Sequence, residues 1–338
     1  MSKTSARAQV EVRPYQDEDE TDVLELLEAS LGEGPGGGRT HDFFAWKHLI
    51  NPFGRSFMLV AEKDGRVIGL RAFMRWTFTA GGKEIKAVRA VDTATHPDYQ
   101  GLGIFTKLTN AAIEQLADEA AFVFNTPNDK SKPGYLKMGW HEVGELPISV
   151  KVRRPLRFAR GIKGLRETKV EKSPAPDVNA PRFSDLAVSD DELESLLRAS
   201  RMTEDRLTTA HTAGSLRWRY DQSPHLDYRV AGDANGLVIF RVRARGSLWE
   251  ATVAEVMVGE RDAGAARSLL KDAAHSAGVD HMTCLLPSGS TVLKGARRTG
   301  FLRSPIGMTL TARPLQDSSP DPLAMSSWAL SLGDVEVF

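Results

Sequence analysis

Two segments of the chain resemble each other, and this partial repeat constrains the fold more than any other feature. Residues 44–47 (Phe-Ala-Trp-Lys) lie as far before Pro52 as residues 216–219 (Leu-Arg-Trp-Arg) lie before Pro224. Strand-like and helix-like patterns then follow in a similar order in each half. The 338 residues are also too many for one ordinary domain and suffice for two. We therefore expect two copies of one α/β unit, although chance similarity of two α/β domains stays open.

The first half changes its hydrophobic periodicity near His96. Alternating residues between 57 and 95 predict an antiparallel meander, with Asp64-Gly65 as a hairpin turn. The acidic run 17–22 precedes a helical pattern, where its charges suit the positive end of the helix dipole. From residue 105 to 116 the apolar spacing is helical, and a short strand and a short helix are expected after it.

The composition changes between the two copies. Residues 157–181 are rich in Arg, Lys, Pro and Gly, which is typical of a linker. We expect an N-terminal domain over 1–155, whose sheet is completed by a strand at 148–152. A linker over 156–181 and a C-terminal domain over 182–338 follow. The fold class is α/β, with a mixed sheet in each of two tandem domains.

Composition also excludes several classes of protein. Lys plus Arg and Asp plus Glu are both 44, so the net charge is zero and gives no electrostatic case for nucleic acid or a membrane surface as partner. No apolar run approaches the length of a membrane span and no signal-like segment is present, so we expect a cytoplasmic protein. The single cysteine, Cys284, excludes an intramolecular disulfide and a cysteine zinc cluster.

The segment 100–105 (Gln-Gly-Leu-Gly-Ile-Phe) suits the binding of a diphosphate. Such a ligand needs several converging backbone N–H groups and the positive end of a helix behind them. Gly101 and Gly103 let the backbone approach a ligand without a Cβ, and the helical pattern begins directly afterwards. A nucleoside-triphosphate loop is excluded because no Gly-Lys-Ser/Thr is present, and Thr106 breaks the dinucleotide pattern Gly-x-Gly-x-x-Gly. Alone, the segment is more typical of a tight strand-to-helix turn.

The sequence from 95 to 108 resembles motif A of the GCN5-related N-acetyltransferases (GNATs). That motif is Gln/Arg-x-x-Gly-x-Gly/Ala after a strand and a Pro-x-Tyr turn. Gln100 and Gly103 match it, whereas Phe105 stands where the family has Gly or Ala. We treat this departure as variation within the family.

A second match to the same family lies about 30 residues downstream. Asn125 and the later Tyr135-x-x-x-Gly-Trp140 resemble the family's Asn…Tyr-x-x-x-Gly-Phe segment. Two motifs in the right order are far more specific than either alone. The resemblance is close over 10–153 and only architectural over 182–312.

The resemblance implies acetyl-CoA as co-substrate, without a metal, and it implies where acetyl-CoA binds. Pantetheine would lie between the strand ending at Thr95 and the strand near Asn125, hydrogen-bonded to main-chain groups of Ala94 and His96 like an added strand. Tyr135 corresponds to the tyrosine that protonates the departing CoA thiolate in many members. Otherwise it is a packed tyrosine with its hydroxyl in water. The implied cofactor-binding residues are Ala94, Thr95, His96, Gln100, Gly101, Leu102, Gly103, Ile104, Phe105 and Asn125.

An amine acceptor must lose a proton, and Asp92 is the carboxylate best placed to take it. It stands two residues before Ala94, and even spacing along the strand predicts that Glu84 faces the same side. The alternative is that Asp92 lies on a sheet face and pairs with Arg89 or Arg71.

The second copy lacks both motifs. Residues 258–266 contain no Gln/Arg-x-x-Gly-x-Gly/Ala pattern and carry Glu260 and Asp262 where a diphosphate would bind. No tyrosine stands at the position equivalent to Tyr135. We expect this copy to be catalytically silent, with His211 as a packing residue and not a ligand.

Together these patterns predict an N-acetyltransferase that moves an acetyl group directly from acetyl-CoA to a primary amine of a small molecule or peptide. The glycine-rich loop at 32–38 is expected to act as a lid, and a homodimer stays open. One alternative is a non-catalytic acyl-CoA-binding sensor or scaffold. Another is an acyltransferase like mycothiol synthase or the Fem-type peptidyl transferases, although in mycothiol synthase the C-terminal copy is the active one.

Overall fold

The computed structural model describes residues 10–33, 38–164, 174–200, 205–259 and 262–335. The chain divides into two compact units. The first comprises the described residues up to Gly144 together with Ser223–His225 and Thr309–Ser327, and the second comprises Glu145–Gln222, Leu226–Met308 and the residues from Trp328. Each unit contains one mixed sheet with helices, so the predicted α/β class is confirmed.

The first sheet draws most of its strands from the N-terminal half of the sequence. They are β1 (Glu11–Pro14), β2 (Phe57–Lys63), β3 (Arg66–Ala80), β4 (Lys83–Thr95), β5 (Phe122–Asn125), β6 (His141–Leu146) and β14 (Met308–Pro314). Neighbouring strands follow the order β1-β2-β3-β4-β5-β14-β6. Asp64 and Gly65, with φ of 53° and 73°, form the turn between β2 and β3, because a two-residue hairpin of this kind needs two positive φ angles.

Helices cover this sheet. They are α1 (Glu20–Leu31), α2 (His41–Phe44) with its π-helical continuation Ala45–Leu49, α3 (Ile104–Leu116) and α4 (Lys132–Lys137). The buried side chains of α3 recur every four residues, at Ile104, Leu108 and Ala112. Gly69 of β3 lets this helix approach closely, because a Cβ there would lie 2.7 Å from Cγ2 of Ile104. Residues 34–37, most of the expected lid, lie outside the described residues.

The second unit repeats the element order of the first. Its sheet contains β7 (Ile148–Val152), β9 (Tyr228–Asp233), β10 (Gly236–Arg245), β11 (Leu248–Met257), β12 (His281–Leu285) and β13 (Leu302–Arg303), in the order β13-β7-β12-β11-β10-β9. Its helices are α5 (Pro155–Gly164), α6 (Asp190–Ser200), α7 (Ala213–Tyr220), α8 (Ala263–Ser276), α9 (Thr291–Arg298) and α10 (Leu332–Val335), and the short β8 (Thr208–Thr209) precedes α7. The series β9-β10-β11-α8-β12-α9 corresponds to β2-β3-β4-α3-β5-α4 in the first unit, as the partial sequence repeat predicts.

The strand at 148–152 was expected to complete the first sheet, and this expectation is wrong. β7 pairs antiparallel with β12 in the second sheet, where Val150 lies opposite Thr283. In the first sheet β14 takes the place beside β5, with Thr311 opposite Asn125. The local pattern of a strand does not specify its partner, so the sequence could not reveal this exchange.

The exchange also changes the expected domain limits. The compact units are not the continuous segments 1–155 and 182–338, because β7 belongs to the second unit and β14 lies almost wholly in the first. The expected linker at 156–181 contains most of α5, and its residues 165–173 lie outside the described part of the chain. No helix within the described residues is both long and apolar enough to cross a bilayer.

Candidate active site

The parallel strands β4 and β5 diverge, and the gap between them is the centre of the candidate site. Within the described chain they pair only where Ala87–Arg89 lie opposite Phe122–Phe124. β4 continues beyond this point to Thr95, whereas the end of β5 pairs with β14. An unpaired strand edge of this kind can bind an extended ligand through its main-chain groups. The opening that was expected between Thr95 and Asn125 is therefore present.

The register of β4 decides which of its main-chain groups face the gap. The amide of His96 donates a hydrogen bond to the carbonyl of Ile68, at 2.9 Å, at the end of the β3–β4 ladder. Because hydrogen-bonded pairs alternate along an antiparallel ladder, the main-chain groups of Ala94 also point to β3. Those of Thr93 and Thr95 point to the gap. This register favours the two threonines over Ala94 and His96 for main-chain contacts to pantetheine, although the carbonyl of Thr95 already accepts a hydrogen bond from the hydroxyl of Ser30 at 3.1 Å. Contact of any of these residues with a cofactor stays a prediction.

The loop after β4 has the conformation that a diphosphate requires. Gly101 and Gly103 have φ of 77° and 78°, in the left-handed region that favours glycine. Gly103 is the N-cap residue of α3, which begins at Ile104, and no side chain caps this helix end. The first N–H groups of a helix have no acceptor within it, so they are available to an anion. The backbone that extends from Gln100 through Leu102 to Ile104 therefore fits a phosphate-binding loop.

Phe105, the departure from the family motif, points away from this loop. Its ring meets the ring of Tyr135 edge-on, with centroids 5.6 Å apart. It also touches α4, because a Cβ on Gly134 would lie 3.1 Å from Cε1 of Phe105. The bulky residue thus packs beneath Tyr135 and leaves the glycine turn free.

Tyr135 is buried, and its hydroxyl oxygen accepts a hydrogen bond from a fully buried arginine. Nη1 of Arg71 donates to Oη of Tyr135 at 2.9 Å and also to the hydroxyl of Thr93. The guanidinium lies over the ring of Phe73, 4.2 Å from its centroid. Nε and Nη2 of Arg71 have no hydrogen-bond partner among the described residues, and no carboxylate there pairs with this arginine. The site therefore contains a buried positive charge that can bind or stabilise negative charge.

Asp92 forms a buried cluster with two basic residues on the other side of the sheet. Its Oδ2 lies 2.7 Å from Nζ of Lys47 and 2.8 Å from Nε2 of His48. Burial alone would raise the pKa of Asp92, but Lys47 and His48 outweigh it and hold that pKa well below its usual range. Burial lowers the pKa of Lys47 and of His48. The role of Asp92 as base stays a prediction, and these surroundings weigh against it, because a carboxylate held ionised accepts a proton poorly.

A β-bulge places Asp92 in this cluster. Thr93 lies opposite Arg71 and Val91 lies opposite Ala72, so Asp92 is the extra residue, with φ of 30°. The prediction that even spacing puts Glu84 and Asp92 on the same side of β4 is therefore wrong. The expected partners Arg71 and Arg89 are likewise replaced by Lys47 and His48.

Asn125 is held by its own sheet. Its side-chain Oδ1 accepts a hydrogen bond from the hydroxyl of Thr311 at 2.6 Å, and both residues are buried. This contact fixes the junction of β5 and β14 at the inner end of the gap. Contact of Asn125 with a cofactor stays a prediction.

The second unit differs from the first at the start of α8, which corresponds to the glycine loop before α3. The carboxylate of Asp262 caps α8 by accepting a hydrogen bond from the amide of Ala265 at 2.7 Å. The corresponding end of α3 has a glycine and no side-chain cap. A carboxylate at a helix N-terminus occupies the place of an anionic ligand and repels it. This contrast supports a single phosphate-binding loop, although Glu260, also expected to oppose a diphosphate, lies outside the described residues.

The comparisons with known proteins agree with this geometry. Residues 11–143 match the family described as an acetyltransferase (GNAT) domain, which contains the gap, the loop and Tyr135. That segment is therefore similar to GNAT domains, and this match does not extend to the rest of the chain. Comparison with curated protein sequences gives no significant match.

Solved structures of similar fold extend over both units. A GCN5-related N-acetyltransferase from Anabaena variabilis ATCC 29413 matches with a TM-score of 0.63 and 11% identity, over 91% of this chain and 73% of its own. An Enterococcus faecalis V583 protein described as a probable N-acyltransferase gives 0.62 and 14%, with the same coverage. Eis1 from Mycobacterium abscessus gives 0.56 and 14%, over 90% of this chain and 73% of its own. At these identities the likeness shows the fold of the chain and nothing finer.

Sequence reasoning missed the basic residues of the site. Arg71 was considered only as a partner for Asp92, although a lone charge inside the apolar run Val67–Met74 is a signal of function. Lys47 and His48 were not considered as site residues. Both are buried in the π-helical turn at Ala45–Leu49, a feature that is frequent at functional sites and has no sequence signature here.

Proposed function

We propose that the first unit transfers an acetyl group from acetyl-CoA to a primary amine of a small molecule or peptide, by direct reaction in a ternary complex. The match to GNAT domains supports an acyltransferase, and the glycine turn at 101–103 supports a CoA diphosphate as its ligand. The observation that carries the proposal is the buried pair of Arg71 and Tyr135 beside the β4–β5 gap.

The reaction needs one proton donor at the leaving group. The amine nitrogen attacks the thioester carbonyl carbon, and the C–S bond breaks after the C–N bond has formed. The hydroxyl of Tyr135 donates its proton to the departing sulfur, and the proton lost by the amine nitrogen passes to water. Tyr135 regains a proton from water, so the products are the amide and CoA with its thiol restored.

Arg71 assists this step through its charge. Its Nη1 holds the oxygen of Tyr135 and orients the hydroxyl. Negative charge develops on the thioester as the reaction proceeds, and a preorganised cation in a site without water stabilises it strongly. The two unpartnered nitrogens of Arg71 supply the N–H donors for such an interaction.

The phosphate-binding loop provides a test with a matched control. Gly101→Glu and Gly82→Glu place the same side chain at φ of 77° and 76°, and a Cβ at either position meets nothing within 4 Å. Both variants therefore suffer the same backbone strain, but only the first places a carboxylate in the loop. Titration calorimetry should show acetyl-CoA binding to the wild type and to Gly82→Glu, and none to Gly101→Glu.

A transfer assay over a panel of primary amines completes the test. The proposal expects release of the CoA thiol that depends on an amine and is lost in Gly101→Glu. Binding of acetyl-CoA without turnover on any amine would favour the sensor or scaffold. Equal binding by both glycine variants would remove the loop from the cofactor site.

A further inference from the structure

The second unit contains a cavity that the proposed reaction does not use. β11 and β12 pair from Glu250–Val253 opposite His281–Cys284, and β11 then continues to Met257. A cavity of about 310 Å³ lies beyond this pairing. Three ionisable side chains line it together, namely His211, Glu255 and Asp334.

These three side chains converge on one space. Nε2 of His211 is 3.8 Å from Oε1 of Glu255 and 3.7 Å from Oδ1 of Asp334. Both distances are too long for a hydrogen bond. Nε2 is buried and has no hydrogen-bond partner among the described residues. One ligand atom from each of the three residues lies within 4.8 Å of the other two.

Neighbouring groups hold the two carboxylates in place. The hydroxyls of Tyr220 and Ser331 donate to Oε1 of Glu255 at 2.7 and 2.8 Å. Asp334 accepts from the hydroxyl of Thr209 at 2.6 Å and from the amide of Ser331 at 2.7 Å. Such outer contacts orient the ligands of metal sites.

The histidine is oriented as well. Its Nδ1 lies 3.3 Å from the hydroxyl of Ser215 in α7. When Nδ1 carries the proton of this contact, Nε2 presents a lone pair to the same space as the two carboxylates. Burial lowers the pKa of His211, but the two carboxylates outweigh it and raise that pKa, because three electron-rich atoms around one space repel one another without a positive charge between them. A proton on Nε2 supplies such a charge, and a metal ion in its place supplies a larger one.

We propose that His211, Glu255 and Asp334 bind one divalent transition-metal ion, of which Zn²⁺ is the representative. Ligand atoms about 2.1 Å from one ion stand roughly 3.0–3.7 Å apart. The two distances from His211, 3.8 and 3.7 Å, are close to this range, and the carboxylate oxygens, within 4.8 Å of each other, need to approach by at most about one ångström. Imidazole combined with carboxylates favours Zn²⁺ or Mn²⁺ over Mg²⁺ and Ca²⁺. The cavity leaves a further coordination position open to water or a small ligand.

This site departs from two expectations, namely that the chain binds no metal and that His211 is a packing residue. The three residues are distributed over the loop before α7, the strand β11 and the helix α10. No ligand spacing in the sequence joins them, so only the fold brings them together.

Metal binding by the full chain, without CoA or amine, tests this proposal separately from the acetyl transfer. After removal of bound metal with a chelator, titration calorimetry with Zn²⁺ should show one site per chain, and Mg²⁺ should not compete for it. Co²⁺ bound in place of Zn²⁺ should give visible absorption bands. Failure of Zn²⁺ to bind with a defined stoichiometry would overturn the proposal.

Single substitutions locate the site. His211→Gln, Glu255→Gln and Asp334→Asn should each weaken Zn²⁺ binding by more than the roughly 10–100-fold typical of outer contacts. His275→Gln, which changes an exposed histidine on α8, should bind like the wild type. Thermal unfolding of each metal-free variant shows whether it is folded, and the folded variants decide the result. Unchanged affinity in all three would assign the metal to another site and contradict the proposal.

Discussion

At the scale of single residues, Arg71 is a fully buried charge in the first unit. A buried guanidinium without a carboxylate loses its hydration and regains only part of it from hydrogen bonds. Here it has the oxygens of Tyr135 and Thr93 and the face of Phe73. A fold under selection for stability alone would place an apolar residue there, so we interpret Arg71 as a residue retained for its charge.

A substitution of Arg71 should therefore affect the stability and the activity of the protein in different ways. Replacing Arg71 by Met removes the buried charge and keeps a long side chain, so the free energy of unfolding should stay unchanged or rise by about 1–4 kcal/mol. The rate of acetyl transfer should fall by about 10²-fold or more, as on loss of one oxyanion-hole donor. Denaturant unfolding and kcat measure the two effects.

Tyr135→Phe supplies the comparison for Arg71→Met. It removes the proton donor and keeps the charge, and its kcat should fall by roughly 10²–10⁴-fold with little change in acetyl-CoA affinity. If both variants turned over at the wild-type rate, neither residue would take part in the reaction.

Asp92 should contribute to stability and not to proton transfer. Asp92→Asn leaves Lys47 and His48 without their buried anion and should cost about 3–5 kcal/mol of unfolding free energy at neutral pH. Asn tolerates the positive φ at this position, so backbone strain adds little. If Asp92→Asn folds, the pH profile of its kcat should match that of the wild type.

The same substitution has a defined pH dependence. The folded pKa of Asp92 lies below the unfolded value of about 3.9, so the stability it contributes is fully present above about pH 5. That contribution is lost as the pH falls toward the folded pKa. The stability difference between wild type and Asp92→Asn should therefore shrink from pH 6 to pH 3 in urea titrations. A difference that grew with acid would contradict this assignment.

At the scale of elements, the loop and α3 are positioned by close packing on β3. A Cβ at Gly69 would lie 2.7 Å from Ile104, 3.1 Å from Ala61 and 3.2 Å from Leu108. Gly69→Ala should therefore cost about 1–3 kcal/mol through overpacking and weaken acetyl-CoA binding by displacing the start of α3.

A double-mutant cycle tests this contact. Ile104→Ala removes the atom nearest to the added methyl group, so the double variant should be more stable than the two single losses predict. If the losses in unfolding free energy, measured by denaturant unfolding, were strictly additive, contact with α3 would not be the reason that position 69 requires glycine.

The sequence predicted some elements of the fold well and others poorly. Hydrophobic spacing and glycine placement fix α3, the turn at 101–103 and the helix that carries Tyr135, because each depends on neighbours within a few residues. The bulge at Asp92 and the burial of Arg71 depend on the pairing of β3 with β4. The partners of β7 and β14 depend on residues more than 100 positions away. Local patterns carry no information on such pairings, and the predictions failed at these places.

At the scale of the whole molecule, the exchange of strands makes the N-terminal half incomplete. β14 lies beside β5 in the first sheet and supplies the hydrogen bond from Thr311 to Asn125. A fragment of residues 1–155 would leave the main-chain groups at this edge of β5 unpaired. It should therefore not unfold cooperatively in urea and should not bind acetyl-CoA, whereas the full chain should do both.

Adding the missing strand as a separate peptide tests the same explanation. Residues 1–155 mixed with a peptide of residues 305–327 should recover part of the acetyl-CoA binding, because the peptide restores the missing strand. A fragment of 1–155 that binds like the full chain on its own would show that the exchange is dispensable.

The position of β14 also has a consequence for how such a protein can change over evolutionary time. A duplicated gene usually frees one copy to decay or disappear once the other performs the reaction. Here the half without the phosphate-binding loop supplies a strand to the sheet that carries it. Deleting that half would remove a strand of the first sheet, so selection for a function of the first unit would also retain the second half.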